Sequence, residues 1–381
     1  MSPAGPALEH RALVRESGRV RLRPRPTRAP GPGELLVATQ VAGLCGTDIQ
    51  MLRGLRDDPA PVIGHEGIAR VVAAGADTPD ALRPGTPVVV NPTHRSDPSF
   101  LLGHTVDGLL QERTLIPATA VRGGLVVPLE RPPDAVLGTL IEPLAAVRYA
   151  FALLATARPR TLVVYGDGTI GQLAVRAARR WLVGVRRVLL VHHTPAGLDW
   201  SARRTGPGVE SLLHGEPGGL PPLGPEPTAA LLATPRDATV SALESALRLD
   251  SGRLTVDLFG GLPPGAAGTP LPGVDLAAVR AANCAGFPVP PAFTEVVTTT
   301  GRPVRLTGHR GVGNDHLAEA AAELSRDPAS YRDLVTHVVG LSEAARIMND
   351  LSASRARTVA GRRLIKLAVR FAPPPSPLEA P

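Results

Sequence analysis

Aromatic residues are scarce: Phe, Tyr and Trp together make up 3% of the 381 residues. A nucleic-acid groove lined with stacking rings is therefore not expected, and Leu, Val and Ala must fill the core. Lysine is scarcer still, because Lys366 is the only one and nearly all the positive charge is arginine. The formal charge of +7 invites a nucleic-acid reading. The arginines are scattered, however, and accompany an excess of Ala, Gly and Pro that reads as compositional bias, so no nucleic-acid partner is expected. Two cysteines, Cys45 and Cys284, cannot make a disulfide framework. No run of consecutive apolar residues reaches the roughly 18 of a membrane span, so no membrane partner is expected either. Met1 to Pro6 lack a charged n-region followed by an apolar h-region, which argues against a signal peptide. Together these absences point to a soluble cytoplasmic protein with reduced thiols.

The length exceeds one ordinary core and predicts two domains. Forty glycines and 41 prolines are spread between apolar runs, as in a fold with many short connections. The first third reads as strands: Arg11 to Leu22, Glu34 to Ala42, Ile68 to Ala74, Thr86 to Val90 and Asp107 to Pro117. Thr47-Asp48 can open a short helix through Leu52. A helical, apolar stretch covers Ala135 to Leu154. The pattern then changes. Thr161 to Val164 is a continuous apolar strand of the kind covered on both faces. A helix from Thr169 to Trp181 and a strand from Arg187 to Val191 complete one βαβ unit. Further strands are expected at Ala229 to Ala233, Leu254 to Phe259, Val304 to Leu306 and Arg363 to Val369. Helices are expected at Asn314 to Ser325 and at Ser342 to Leu351, the latter capped by Ser342. The stretch from Gly206 to Glu226 is too rich in Gly and Pro to place a third parallel strand. Phe371 to Pro381 is proline-rich and expected to be disordered.

Four short stretches carry chemistry. Gly43-Leu44-Cys45-Gly46-Thr47-Asp48 sets a thiol in a glycine-flanked turn after a strand. Gly64-His65-Glu66-Gly67 sets two ionisable groups in an apolar segment, where they are costly unless paired or metallated. Ile141-Glu142-Pro143-Leu144 sets a carboxylate in the helical stretch. Cys, His and Glu are side chains that zinc accepts, and three ligands with an open position make a catalytic site. Each residue also has a plain reading. Cys45 alone is a buried structural thiol, His65 a satisfied core histidine, and Glu142 a carboxylate near a helix start. The fourth stretch is Gly166-Asp167-Gly168-Thr169-Ile170-Gly171. It follows a strand and opens a helix, so Gly166, Gly168, Thr169, Ile170 and Gly171 read as a dinucleotide loop holding a pyrophosphate at the helix N-terminus.

In this order and spacing the four stretches resemble the zinc-containing medium-chain dehydrogenase/reductases, the alcohol dehydrogenase superfamily. The likeness is greatest to the polyol, threonine and aminocyclitol dehydrogenase branch, and it covers about Glu34 to Val369. It implies an α/β fold with a β-rich GroES-like catalytic domain at 1–147 and 311–381. A Rossmann-type domain with a doubly wound parallel sheet would take 148–310. It implies Cys45, His65 and Glu142 as zinc ligands, with Glu66 either a ligand or a neighbour that exchanges with water. Asp48 would orient a histidine ligand, and Thr47 would relay the proton of a zinc-bound alcohol. The implied reaction is hydride transfer between a nicotinamide cofactor and a secondary alcohol or ketone. The substrate would be a small hydroxylated molecule, namely a polyol, sugar or (amino)cyclitol of a specialised pathway. The alternatives are a zinc-free NADPH-dependent enone reductase of the same fold and a catalytically inactive nucleotide-binding protein.

Two departures from the family matter. Its structural-zinc lobe carries four cysteines, whereas residues 91–100 here carry none, so a single catalytic zinc is expected. Family members often use that lobe in subunit contacts, so the resemblance leaves a homo-oligomer open. In NAD enzymes an acid ends the second strand and bonds the ribose hydroxyls. Here His192 stands at that place and Gly197 where an arginine commonly follows. This favours NADP, or use of NADP and NAD alike.

Overall fold

The strand Leu35–Gly43 is buried along almost its whole length, and the β-rich part of the chain is built around it. It pairs antiparallel with Glu66–Ala74, with Arg113–Ile116 and with Leu367–Arg370. The sheet runs His337–Val339, Leu367–Arg370, Leu35–Gly43, Glu66–Ala74, Pro87–Val90, Val126–Pro128. A hairpin of Leu8–Glu16 and Arg19–Thr27 stands apart from it as a two-stranded sheet. The structure, a computed structural model, describes residues 8–206, 208–215, 220–354 and 357–372. The N-terminal stretch Met1 to Pro6 and the proline-rich tail from residue 373 onward lie outside the described residues. By internal contacts the chain forms two compact units, Met1–Glu142 with Leu317–Pro381, and Pro143–His316.

The second unit is a seven-stranded sheet. In space its order is Val209–Leu213, Arg187–His192, Thr161–Tyr165, Thr228–Leu232, Leu254–Asp257, Pro303–Thr307, Thr294–Val297. The first six strands are parallel and follow the 3-2-1-4-5-6 order of the Rossmann fold, and Thr294–Val297 adds an antiparallel edge. Four of its central strands, such as Thr161–Tyr165 and Thr228–Leu232, are buried at nearly every residue, as continuous apolar runs require. The helix Thr169–Trp181 returns the chain to the sheet with Leu173, Ala174, Ala177 and Ala178 buried on one face.

Several expectations are corrected. The third parallel strand is Val209–Leu213, a half-buried edge strand whose polar Glu210 and Ser211 hid it. The helix Pro195–Ala202, capped by the Thr194 hydroxyl, has no apolar stripe to announce it. Gly340, not Ser342, caps the helix Leu341–Ala353, since helical geometry begins two residues earlier. The strand expected from Asp107 is confined to Arg113–Ile116. The expected closing strand is split, with Arg362–Arg363 in a separate short ladder and Leu367–Arg370 in the main sheet. The apolar stretch Ala135–Ala155 is 21 residues long, starts as a 3-10 turn and continues as an α-helix from Ile141. By length and mean hydropathy it could cross a bilayer, although Thr139, Glu142 and Arg148 break any consecutive apolar run. Its most apolar window is 78% buried, as in a core helix.

Candidate active site

Antiparallel register assembles the first cluster. Gly43 pairs with Glu66 on one side and with Ala368 on the other. Glu66 and Lys366 therefore approach each other across Gly43, 300 residues apart in sequence, and form an ion pair with both side chains almost wholly buried. Only glycine leaves room for this. A Cβ on Gly43 would lie 2.6 Å from Lys366 Cε and 3.1 Å from Glu66 Oε2. Lys366 Nζ also lies 3.4 Å from the Leu44 carbonyl.

One residue beyond Leu44, Cys45 is the N-cap of the helix Gly46–Leu52. The Asp48 carboxylate turns back to accept from the Cys45 amide at 2.8 Å, and the Thr47 hydroxyl donates to Cys45 Sγ at 3.0 Å. Ligand atoms of Cys45, His65 and Glu66 all lie within 4.8 Å of one another. His65 Nδ1 is 3.9 Å from Asp48 Oδ1, and neither buried atom has a hydrogen-bond partner.

The electrostatics fit a cation site. Burial alone would push His65 down. The Cys45 sulfur, as acceptor for the protonated ring, and the charges at Cys45, Asp48 and Glu142 outweigh it and carry His65 up to about 10. Glu142, in the first turn of Ile141–Ala155, is pushed up to about 7 by burial and by Glu66 and Asp48, against the pull of His65 and Lys366. Burial raises Asp48 as well. Acidic groups that hold on to their protons, around an imidazole that gains one, mark a pocket that would carry surplus negative charge once those protons left. A dication relieves that surplus and displaces the protons. Thiol, imidazole and carboxylate are the donors zinc takes, so Cys45, His65 and Glu66 fit the ion. Glu142 stands outside this trio but within its electrostatic reach.

Sequence reasoning missed two neighbours. The His104 ring is centred 5.1 Å from that of His65 and bonds Asp58 at 3.1 Å. Burial, then the charge of His65, lowers it to about 4. It lies in an irregular loop with no motif. Lys366 did leave a signal, as the sole lysine set among Leu, Ile, Leu, Ala and Val.

In the second unit, Gly166 adopts φ +100°, and a Cβ on it would lie 2.4 Å from the Ala233 carbonyl oxygen. A Cβ on Gly171 would lie 1.8 Å from the Gly166 oxygen, so helix and turn touch backbone to backbone. Gly168 faces open space, with nothing within 4 Å of such a Cβ. It caps the helix with no side-chain hydrogen bond, and Thr169 and Ile170 follow it half-buried. An uncapped helix N-terminus facing open space fits a pyrophosphate. His192 ends its strand fully buried, with Nδ1 2.8 Å from Asp167 Oδ2.

A further buried group sits at the ends of the fifth and sixth parallel strands. Asp257 and His309 lie 3.9 Å apart, and both Asp257 oxygens and His309 Nδ1 lack partners. Burial pushes Asp257 up to about 7 against Arg280. Burial, then Arg280 and His316, push His309 down to about 3. Between those values both are neutral, so the contact is not an ion pair. Because the folded pKa of Asp257 exceeds an unfolded value of about 3.9, its contribution to stability is present below that value and lost as pH rises to about 7. Asp257→Asn should therefore gain in Tm relative to the parent from pH 4 to pH 7 and then level off. Parallel Tm curves would show that Asp257 is ionised in the fold at all these pH values.

The alcohol dehydrogenase GroES-like domain family matches residues 31–124. The chain is 30% identical over 196 residues to glucose 1-dehydrogenase of Thermoproteus tenax, covering 46% of this chain and 55% of that protein. It spans about half the length of the curated relatives it matches. Among solved structures, alcohol dehydrogenase from Thermotoga maritima superposes with a TM-score of 0.67 at 20% identity, covering 95% of this chain and 99% of the other. Galactitol-1-phosphate dehydrogenase from Escherichia coli superposes with a TM-score of 0.65 at 18% identity, covering 96% and 100%. Residues 31–124 thus match the GroES-like domain of alcohol dehydrogenases, and the chain as a whole shares the fold of these solved dehydrogenases.

Proposed function

We propose that this chain is a zinc-dependent oxidoreductase that transfers a hydride between a nicotinamide cofactor and a secondary alcohol or ketone. The gathering of Cys45, His65 and Glu66 within 4.8 Å carries this reading, and Glu142 is proposed as a further ligand. Zinc held by these residues would act as a Lewis acid that lowers the pKa of an alcohol. Cys45 would bind as thiolate, and His65 and Glu142 would give up the protons that the metal-free site holds. Asp48 then fixes the His65 ring. Lys366 holds Glu66 to one side, as a neighbour of the ion or an exchangeable ligand. The Thr47 hydroxyl, beside the thiol, would relay the alcohol proton, giving up its own as it accepts that one. The loop from Gly166 to Gly171 would hold the pyrophosphate of NAD or NADP, which would supply the hydride acceptor.

The substrate class is a polyol, sugar or (amino)cyclitol. The carboxylates around the metal candidates support it, as do the names of two similar proteins, a glucose and a galactitol-1-phosphate dehydrogenase. Purified protein should reduce NAD or NADP with at least one member of a polyol and cyclitol panel, read at nicotinamide absorbance. Reduction of activated alkenes by NADPH with no turnover of any alcohol would contradict the proposal.

A further inference from the structure

The position that usually carries the ribose-binding acid holds a histidine that cannot do its work. His192 has no exposed side-chain surface. A carboxylate oxygen only accepts, so the 2.8 Å contact is His192 Nδ1–H donating to Asp167 Oδ2. Asp167 is the residue between Gly166 and Gly168, 25 positions earlier, in the turn after the first parallel strand. The pair therefore brings a carboxylate from the first turn to the end of the second strand. Rossmann-type folds bond the adenosine ribose there with an acid on the second strand itself. The Asp167 side chain retains 14% exposure, whereas His192 retains none. The carboxylate is the member of the pair that a ligand can reach.

Resting on the dinucleotide-binding part of the function proposed above, we infer that Asp167 is the residue that selects the cofactor. His192 is the positioning residue that holds it. The Asp167 carboxylate accepts hydrogen bonds from ribose hydroxyls and repels a 2′-phosphate by like charge, so the chain prefers NAD to NADP. This reverses the preference expected from His192 as a free imidazole. The competing grips for a phosphate are two exposed imidazoles, His193 and His214, with ring centroids 6.5 Å apart. Arg204, just past the helix Pro195–Ala202, packs over the Trp200 ring at 4.8 Å.

Calorimetric titration of the full chain with ADP-ribose and with its 2′-phosphate tests the inference without any hydride transfer. ADP-ribose should bind at least about tenfold more tightly at low salt, and the gap should narrow as salt rises toward about 0.5 M. Asp167→Asn should close most of the gap, chiefly by tighter binding of the 2′-phosphate. His192→Leu should close part of it, and His192→Asn, which keeps an N–H donor, should restore some. Equal or tighter binding of the 2′-phosphate by the wild type overturns the inference, whatever the variants do. An unchanged ratio in Asp167→Asn also overturns it. If neither probe binds, the dinucleotide reading itself falls with it, whereas binding without discrimination removes only the role given to Asp167.

Discussion

Cys45→Ala is expected to abolish alcohol oxidation while leaving ADP-ribose binding unchanged. The thiol is the only sulfur in the cluster and the donor that most favours zinc over harder cations. Its sulfur also lies within 4.8 Å of the ligand atoms of His65 and Glu66, so its loss removes one ligand and leaves the other two without their sulfur partner. Removing an outer partner of a metal site costs about 10–100-fold, so loss of a direct ligand should exceed that in kcat/KM. The Gly166 loop belongs to the other compact unit, Pro143–His316, which is why cofactor binding should survive. Steady-state kinetics alongside titration calorimetry separate the two effects. Ordinary turnover in Cys45→Ala would refute the proposed metal role of the thiol.

Lys366→Met should have the largest effect on stability. The ammonium and the Glu66 carboxylate pair with 1% and 3% of their side chains exposed. Removing one partner strands the other charge, which costs about 3–5 kcal/mol. In a unit of roughly 200 residues each kcal/mol moves Tm by about 2–4 °C, so calorimetry should show a fall on the order of 10 °C. Adding Glu66→Gln to Lys366→Met should recover much of it, because the stranded charge is then gone. An unchanged Tm in the single variant would mean that Glu66 is stabilised by something other than Lys366.

These two residues mark how far the sequence could be read. Cys45 and Glu66 were legible because short stretches of chain place them, one in a turn after an apolar strand and the other beside His65 between glycines. Their company was not. Lys366 reaches Glu66 through the pairing of strands 300 residues apart, and no local pattern encodes that register. His104 sits in a loop whose course is set by packing, not periodicity. The central parallel strands announced themselves as unbroken apolar runs. The edge strand Val209–Leu213, half-buried and partly polar, did not. At His192 the position was read from spacing, but the direction of the ring toward Asp167 was not, since it depends on a loop side chain from another strand. Asp257 was hidden for the opposite reason: it lies wholly buried at the end of an apolar strand.

Zinc content of the purified, active wild-type protein tests the central claim most directly. Elemental analysis should give about one zinc per chain, and turnover should fall with chelation and return with added zinc. Active protein containing no zinc would contradict the mechanism, and two zinc ions per chain would contradict the single-site reading of a chain without cysteines at residues 91–100.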